Sequence, residues 1–265
     1  FGASATRLIP SINRIMAAAQ NLRFSGPVVD VIYSELDSIR SNQILDKKDG
    51  LNDVKLEFLN SIKINNLSYK YPKAESDVLT NINITIKHGD CIGIVGASGE
   101  GKSTLVDLIM TIIEPTKGKI LIDGKVLKQN QKKSWISNFA FVSQNPYFAN
   151  TSVLNNIAFG IESSEVDLKK VKESILAANL SNKINTLSEG LKTEIGDNGL
   201  KFSGGERQRM AIARALYFEK DIIVFDEATS AVDSLTEKEI IKSIKRLKKK
   251  KTIIIIAHRV STLKI

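Results

Sequence analysis

Apolar residues near the start of the chain recur at three- and four-residue steps: Leu8, Ile12, Ile15, Met16, Ala19 and Leu22, with Arg7, Arg14 and Arg23 between them. That spacing lines one side of a helix and predicts an amphipathic helix over 7–24. Ser25-Gly26-Pro27 predicts a break, because glycine is a weak helix former and proline lacks the amide donor. A second helix is predicted through Val28, Val31, Ile32, Leu36 and Ile39. The polar stretch from Asn42 to Asp53, with Lys47-Lys48-Asp49-Gly50, reads as a linker. The expected order is therefore a helical extension over 1–41, a linker over 42–55 and a main domain over 56–265.

From about Lys55 the pattern changes to strands and turns. Ile62 to Tyr69 and Ile82 to Ile86 alternate in strand fashion. Cys91 to Val95, Ile222 to Phe225 and Ile253 to Ile256 are instead continuous apolar runs. Runs of this kind, alternating with helices such as the one predicted over Lys102 to Ile113, fit strands buried on both faces of a parallel sheet. Between Gln144 and Leu216 the chain reads as helix and loop, so a helical insert of about 145–216 is expected to interrupt an α/β core. No internal repeat is visible.

Composition narrows this picture only a little. An apolar fraction of 42% and a charged fraction of 25% over 265 residues are ordinary for a folded protein with a sizeable core. The net charge of +9 raises nucleic acid or an anionic membrane surface as partners. Much of it lies in Lys128 to Lys133 and Lys245 to Lys251, and the second run overlaps a helix-like segment, so a solvated face is the plainer reading. One cysteine, Cys91, excludes an intrachain disulfide framework and suits a reducing compartment; its place in an apolar run predicts a buried thiol. His88 and His258 with that cysteine cannot make a zinc ligand set. The opening Phe1-Gly2-Ala3 carries no signal-peptide pattern, no window reaches the roughly 18 apolar residues of a membrane span, and a piece of a longer protein is expected.

Gly96-Ala97-Ser98-Gly99-Glu100-Gly101-Lys102-Ser103 fits G-x-x-x-x-G-K-[ST] and stands between a predicted strand and a predicted helix, the context that a phosphate loop needs. Glycines let the backbone approach phosphates, successive N–H groups form an anion-binding nest, and the following helix adds its positive end. Lys102 is expected to reach the β- and γ-phosphates and the Ser103 hydroxyl to ligate Mg2+. A glycine-rich turn matching by chance would not need that strand and helix. Asp226 ends a buried run, where an acid can orient the hydration shell of Mg2+. Glu227 beside it is a candidate general base or water-positioning group, with a strand-end capping carboxylate as the plainer alternative. An acid for the metal and an acid for the water imply hydrolysis. Gln144 and His258 each follow a strand-like stretch and could sense the γ-phosphate, although a histidine after four isoleucines also suits a structural role.

In chain order, the phosphate loop, Val142-Ser143-Gln144, Phe202-Ser203-Gly204-Gly205-Glu206, Val224-Phe225-Asp226-Glu227, Ser230-Ala231-Val232-Asp233 and Ala257-His258-Arg259 resemble the motifs of ATP-binding cassette (ABC) ATPases. The resemblance covers roughly residues 56–265 and implies an α/β fold with a P-loop NTPase core. That core is a mostly parallel sheet with flanking helices, joined by an antiparallel β subdomain and the inserted helical subdomain. It also implies a second cassette as partner, packed head to tail, with each ATP between the phosphate loop of one and Ser203 to Glu206 of the other. Carried over by position, Tyr71, Gly96, Ser98, Gly99, Gly101, Lys102, Ser103, Thr104 and Gln144 bind ATP from one side, with Tyr71 stacking on adenine. A strand-end aromatic in the core is the alternative for Tyr71. Ser203, Gly204, Gly205, Glu206 and Asp233 approach from the partner; Ser103, Gln144 and Asp226 hold Mg2+; Glu227, His258, Gln144 and Lys102 form the catalytic set.

The sequence departs from the family's pattern in three places. The usual Leu-Ser-Gly-Gly-Gln signature is Phe202-Ser203-Gly204-Gly205-Glu206 here, Val232 stands where Leu is common, and the chain stops seven residues after His258, so an incomplete C-terminal subdomain is expected. Thr193 to Gly199 resembles the X-loop of exporter-type cassettes, which contacts the membrane domain, as Gln144 also does. Arg7 to Ile15 resembles the cytoplasmic end of the last transmembrane helix of half-transporters, within a subgroup that includes lipid-linked oligosaccharide flippases. These likenesses imply an exporter ATPase at the cytoplasmic face of a membrane, as a homodimer or with a degenerate partner. A soluble cassette ATPase acting on DNA or ribosomes, or a nucleotide-binding module without turnover, are the alternatives. The first gives the X-loop-like segment no role, and no nucleic-acid partner is expected; the second gives Glu227, Lys102 and His258 none.

Overall fold

The two kinds of apolar pattern fold into two different sheets. The computed structural model describes residues 2–48, 56–72, 74–227 and 251–257, and its contacts divide the chain into Phe1–Asp53 and Val54–Ile265.

The first unit is one helix, α1 (Gly2–Lys48), which runs unbroken through Pro10 and Pro27. The break expected at Ser25-Gly26-Pro27 is not there. Proline removes one donor and costs an isolated helix about 3 kcal/mol, but it does not forbid the helical φ. The helix also continues through the first half of the expected linker, and 49–55 lie outside the described residues. Its apolar residues are largely exposed. Leu8, Ile12, Ile15, Met16 and Leu22 are all more than half exposed, as are Val28, Val31, Ile32 and Leu36. No helix among the described residues is long and apolar enough to cross a membrane.

In the second unit, β1 (Ser61–Tyr69), β2 (Leu79–Lys87), β4 (Lys117–Ile122) and β5 (Lys125–Val126) form an antiparallel sheet in the order β2-β1-β4-β5. The continuous runs make a parallel sheet, β3 (Cys91–Val95), β8 (Thr252–Ala257), β7 (Ile222–Asp226) and β6 (Phe139–Val142), in that spatial order. Its period of two divides the core. Ile223, Phe225, Ile253 and Ile255 face a core built with the helices α4 (Val153–Ile157), α5 (Leu168–Ala177), α6 (Ser181–Asn185) and α7 (Gly204–Tyr217). Ile222, Val224, Ile254 and Ile256 face a second core shared with the antiparallel sheet, α2 (Lys102–Ile109) and α3 (Lys132–Ile136). Both faces are covered, which is why these strands carry no polar alternation. Burial of such a side chain is worth about 1.5–3 kcal/mol.

Two expectations need correction. Helix α2 ends at Ile109, not Ile113, because Thr111 turns left-handed (φ 60°). Its N–H donates to the Leu108 carbonyl while that of Ile112 donates to Asp107, the pair of bonds that closes a Schellman motif. Cys91, expected to be buried, is half-buried on β3, the edge strand of the described sheet, where it packs against the first core.

Candidate nucleotide site

Because the four strands of the second sheet are parallel, their C-terminal ends share one edge: Val95 pairs with Ala257, Asp226 with Ile256 and Val142 with Phe225. The chain leaves that edge into Gly96, Glu227 and the loop carrying Gln144, the usual place for a ligand in an open α/β sheet.

The phosphate loop joins β3 to α2. Gly99 (φ 84°) and Gly101 (φ 83°) take the left-handed conformation, and a Cβ on Gly101 would stand 2.7 Å from Val78 Cγ1. Lys102, 9% exposed, begins α2 and folds its Nζ back onto the carbonyls of Gly96 (3.0 Å) and Ala97 (2.7 Å). Ser103 is exposed in the first turn, while Thr104 is buried. The Glu100 carboxylate curls into the loop, where Oε2 accepts the Ala97 N–H at 2.8 Å. Oε2 also stands 2.4 Å from where a Cβ on Gly96 would lie. An anion thus already rests against the nest, which tests the cradle's fitness for phosphate. Tyr71 lies at the same helix, its hydroxyl 2.9 Å from Thr104 Oγ1 and its ring edge-to-face with Tyr69 at 5.0 Å. At 42% exposed it is not a core aromatic.

At the end of β7, Gln144 Nε2 donates to Glu227 Oε2 at 2.8 Å. Glu227 has φ 49°, a strained value for a non-glycine residue, and its N–H donates to the Ile256 carbonyl on β8 at 3.1 Å. Asp226 is half-buried beside it. The hydroxyl, amide and carboxylate of Ser103, Gln144 and Asp226 are hard oxygen donors, the kind that Mg2+ accepts when phosphates and water complete its shell. Among the described residues no cluster of three or more His, Cys, Asp or Glu could hold a metal alone. His258 and Asp233 lie outside the described residues.

The signature caps α7. Ser203 Oγ accepts the Glu206 N–H at 3.3 Å and Glu206 Oε2 accepts the Ser203 N–H at 2.8 Å, a reciprocal capping box. Burial pushes the Glu206 carboxyl up, but its bonds with Ser203 and with Lys183 outweigh this and hold it below the ordinary value. Behind the cap, α7 is tied to the loop after β6. Gln208 Nε2 donates to the Ser143 carbonyl at 3.3 Å, and Arg214 Nη1 to that of Tyr147 at 2.9 Å. The Arg214 guanidinium stands 4.8 Å from the Phe148 ring centre and 5.1 Å from that of Phe159, and desolvation lowers its pKa. Asn156, fully buried, accepts from Ala149 and from Arg214. The 193–199 segment joins the same loop: Ile195 N–H donates to Thr151, and Asn198 Oδ1 accepts from the Phe148 N–H. Sequence reasoning missed Glu100, Lys183, Asn156 and Arg214. Only Arg214 left a trace, as a charge spaced to fall on the buried side of a helix.

Residues 79–230 match the ABC transporter family. The chain belongs to that family. It is 37% identical over 260 residues to the ATP-dependent lipid A-core flippase of Salmonella typhimurium, matching 98% of this chain and 42% of that protein. With the flippase of the same name from Cupriavidus pinatubonensis it shares 40% over 198 residues, 74% of this chain and 34% of the relative. Heterocyst differentiation ATP-binding protein HepA of Nostoc is 38% identical over 254 residues, 94% of this chain and 41% of that protein. This ABC chain therefore spans about a third to two-fifths of these relatives. The solved structure of a bacterial Atm1-family ABC exporter with ATP bound superposes with a TM-score of 0.70, at 34% identity, over 78% of this chain and 36% of that one. The fold is thus the ABC form of the P-loop NTPase.

Proposed function

We propose that this chain binds and hydrolyses ATP as the nucleotide-binding part of an ABC exporter, in a protein that moves a lipid-linked substrate across a membrane. The relatives named as flippases and the exporter neighbour support the transport class. The observation that carries hydrolysis is the Gln144–Glu227 contact at the sheet edge from which the phosphate loop also leaves. In this reading α1 continues the last membrane-spanning segment, and Gln144 and 193–199 face the membrane domain.

Lys102 leaves the Gly96 and Ala97 carbonyls to meet the β- and γ-phosphates, and Tyr71 lies against adenine. Ser103, Gln144 and Asp226 would hold Mg2+, which when bound neutralises charge on the phosphate oxygens. Glu227, set at a strained φ and steadied by Ile256 and Gln144, orients the attacking water and accepts its proton. His258 contacts the γ-phosphate. Ser203 to Glu206 and Asp233 belong to the neighbouring site of a head-to-tail dimer of cassettes, most simply two copies of this chain. ATP then favours the closed pair to the extent that it binds that pair more tightly, and hydrolysis releases it.

Glu227→Gln keeps the hydrogen bond to Gln144 available but removes the base. Phosphate release falls about a hundred- to ten-thousandfold while ATP still binds, and light scattering detects an ATP-dependent dimer. Unchanged phosphate release would remove Glu227 from this role.

A further inference from the structure

Both positions at which the signature departs from its usual sequence, Phe202 and Glu206, touch one side chain. Lys183, in α6, places its ammonium 3.3 Å from Glu206 Oε1 and 5.2 Å from the centre of the Phe202 ring. The contact is sheltered, with side-chain exposures of 25% for Lys183 and 19% for Glu206. Glu206 is therefore held at both oxygens: Oε2 by the Ser203 N–H and Oε1 by Lys183.

The electrostatics give this contact a purpose. A helix N-terminus carries the equivalent of about half a positive charge, and a carboxylate in its first turn more than cancels it. Such an acid stabilises its own helix, but it repels an anion brought to the same end. Glu206 occupies the third helical position of α7, directly after the two glycines that an incoming phosphate would meet. We infer that Lys183 is a positioning residue of the signature: it neutralises Glu206 and pins its second oxygen at the cap, so that the N-terminus of α7 stays receptive to the γ-phosphate bound by a second cassette. Phe202 takes part by holding the lysine stem and ammonium against the cap. The Ser203 hydroxyl, which accepts the Glu206 N–H, keeps its own proton to donate to phosphate.

This role rests on the head-to-tail sandwich proposed above, and the test separates the two. The Glu227→Gln chain is the parent; dimerisation is followed by light scattering against Mg-ATP, and monomer affinity by a fluorescent ATP analogue. Lys183→Met should leave monomer affinity unchanged and weaken the dimer. The expected loss is about tenfold per signature, and about a hundredfold in a symmetric dimer that contains two. Lys183→Arg should retain the parent's dimerisation. Adding Glu206→Gln to Lys183→Met should restore most of it, since no carboxylate then needs neutralising; a merely structural lysine would not be rescued this way. Unaltered dimerisation of Lys183→Met, or a double variant as weak as the single one, overturns the role of Lys183 while leaving the sandwich intact. A parent that binds ATP yet stays monomeric overturns the sandwich, and the role of Lys183 with it.

Discussion

The molecule has two anion cradles, each at a helix start and each with an acid beside it. In the phosphate loop Glu100 lies inside the cradle, bonded to the backbone N–H of Ala97, and Lys102 is bonded to the loop's own carbonyls. In the signature Glu206 is bonded to the capping residue and paired with Lys183. The first cradle is closed upon itself and must exchange internal partners for ligand ones. The second holds its shape with its acid already neutralised. A site that meets ATP first, in a single chain, can lose some affinity to internal bonds without losing function. A site that must complete an interface later gains from being preorganised.

Removing the cation of the first cradle should have the largest effect. Lys102→Ala loses the buried charge proposed to meet the β- and γ-phosphates, and ATP affinity should fall about a hundredfold, as isothermal titration would show. Retained affinity would break the comparison, since the loop would then bind by backbone alone. Ser203→Ala strikes the second cradle and should behave differently. It removes the cap of α7, which costs about 1 kcal/mol and a few degrees of melting temperature. If that serine serves the neighbouring site, as proposed, ATP affinity of the monomer should stay near the parent's while turnover falls about tenfold. Equal losses of monomer affinity in both variants would mean that the cradles do not belong to separate partners.

Much of this architecture was legible in the sequence, for physical reasons. Continuous apolar runs meant strands buried on both faces, and Ile222–Phe225 and Ile253–Ile256 are such strands. The phosphate loop and Asp226-Glu227 were legible because their chemistry requires fixed residue types next to strand ends. Helix boundaries were less so. Pro27 and Gly26 look like punctuation, yet α1 passes through them, and Thr111 adopts a turn usually left to glycine. The Lys183–Glu206 pair was not legible at all, and Arg214 only as a charge on a buried helix side. Lys183 and Glu206 are 23 residues apart, and nothing in either neighbourhood marks the pair that folding α6 against the start of α7 creates. Arg214 reaches Tyr147 across 67 positions. Such contacts depend on tertiary packing, which local periodicity does not encode.

The smallest expected effect has the opposite sign and bears most directly on the contrast between the cradles. Glu100→Ser removes the internal anion from the phosphate loop, so ATP should bind about five times more tightly, the worth of about one ordinary hydrogen bond net of water. The empty protein should lose a little stability, because the Ala97 N–H loses its acceptor. Differential scanning calorimetry should therefore show a lower melting temperature without nucleotide and a larger rise with it, since stabilisation by ligand grows as RT ln(1 + [L]/Kd). Glu100→Gln separates two causes. The amide oxygen can still accept the Ala97 N–H but carries no charge. If Glu100 weakens ATP only by repelling it, Gln should match Ser, and the difference from the parent should shrink as salt screens the exposed charge. If it competes for the nest, Gln should fall between Glu and Ser, and part of the gain should survive at high salt. The second outcome makes the first cradle self-occupied, whereas the first reduces Glu100 to a passing charge and leaves Lys102 alone to distinguish the closed cradle from the open one.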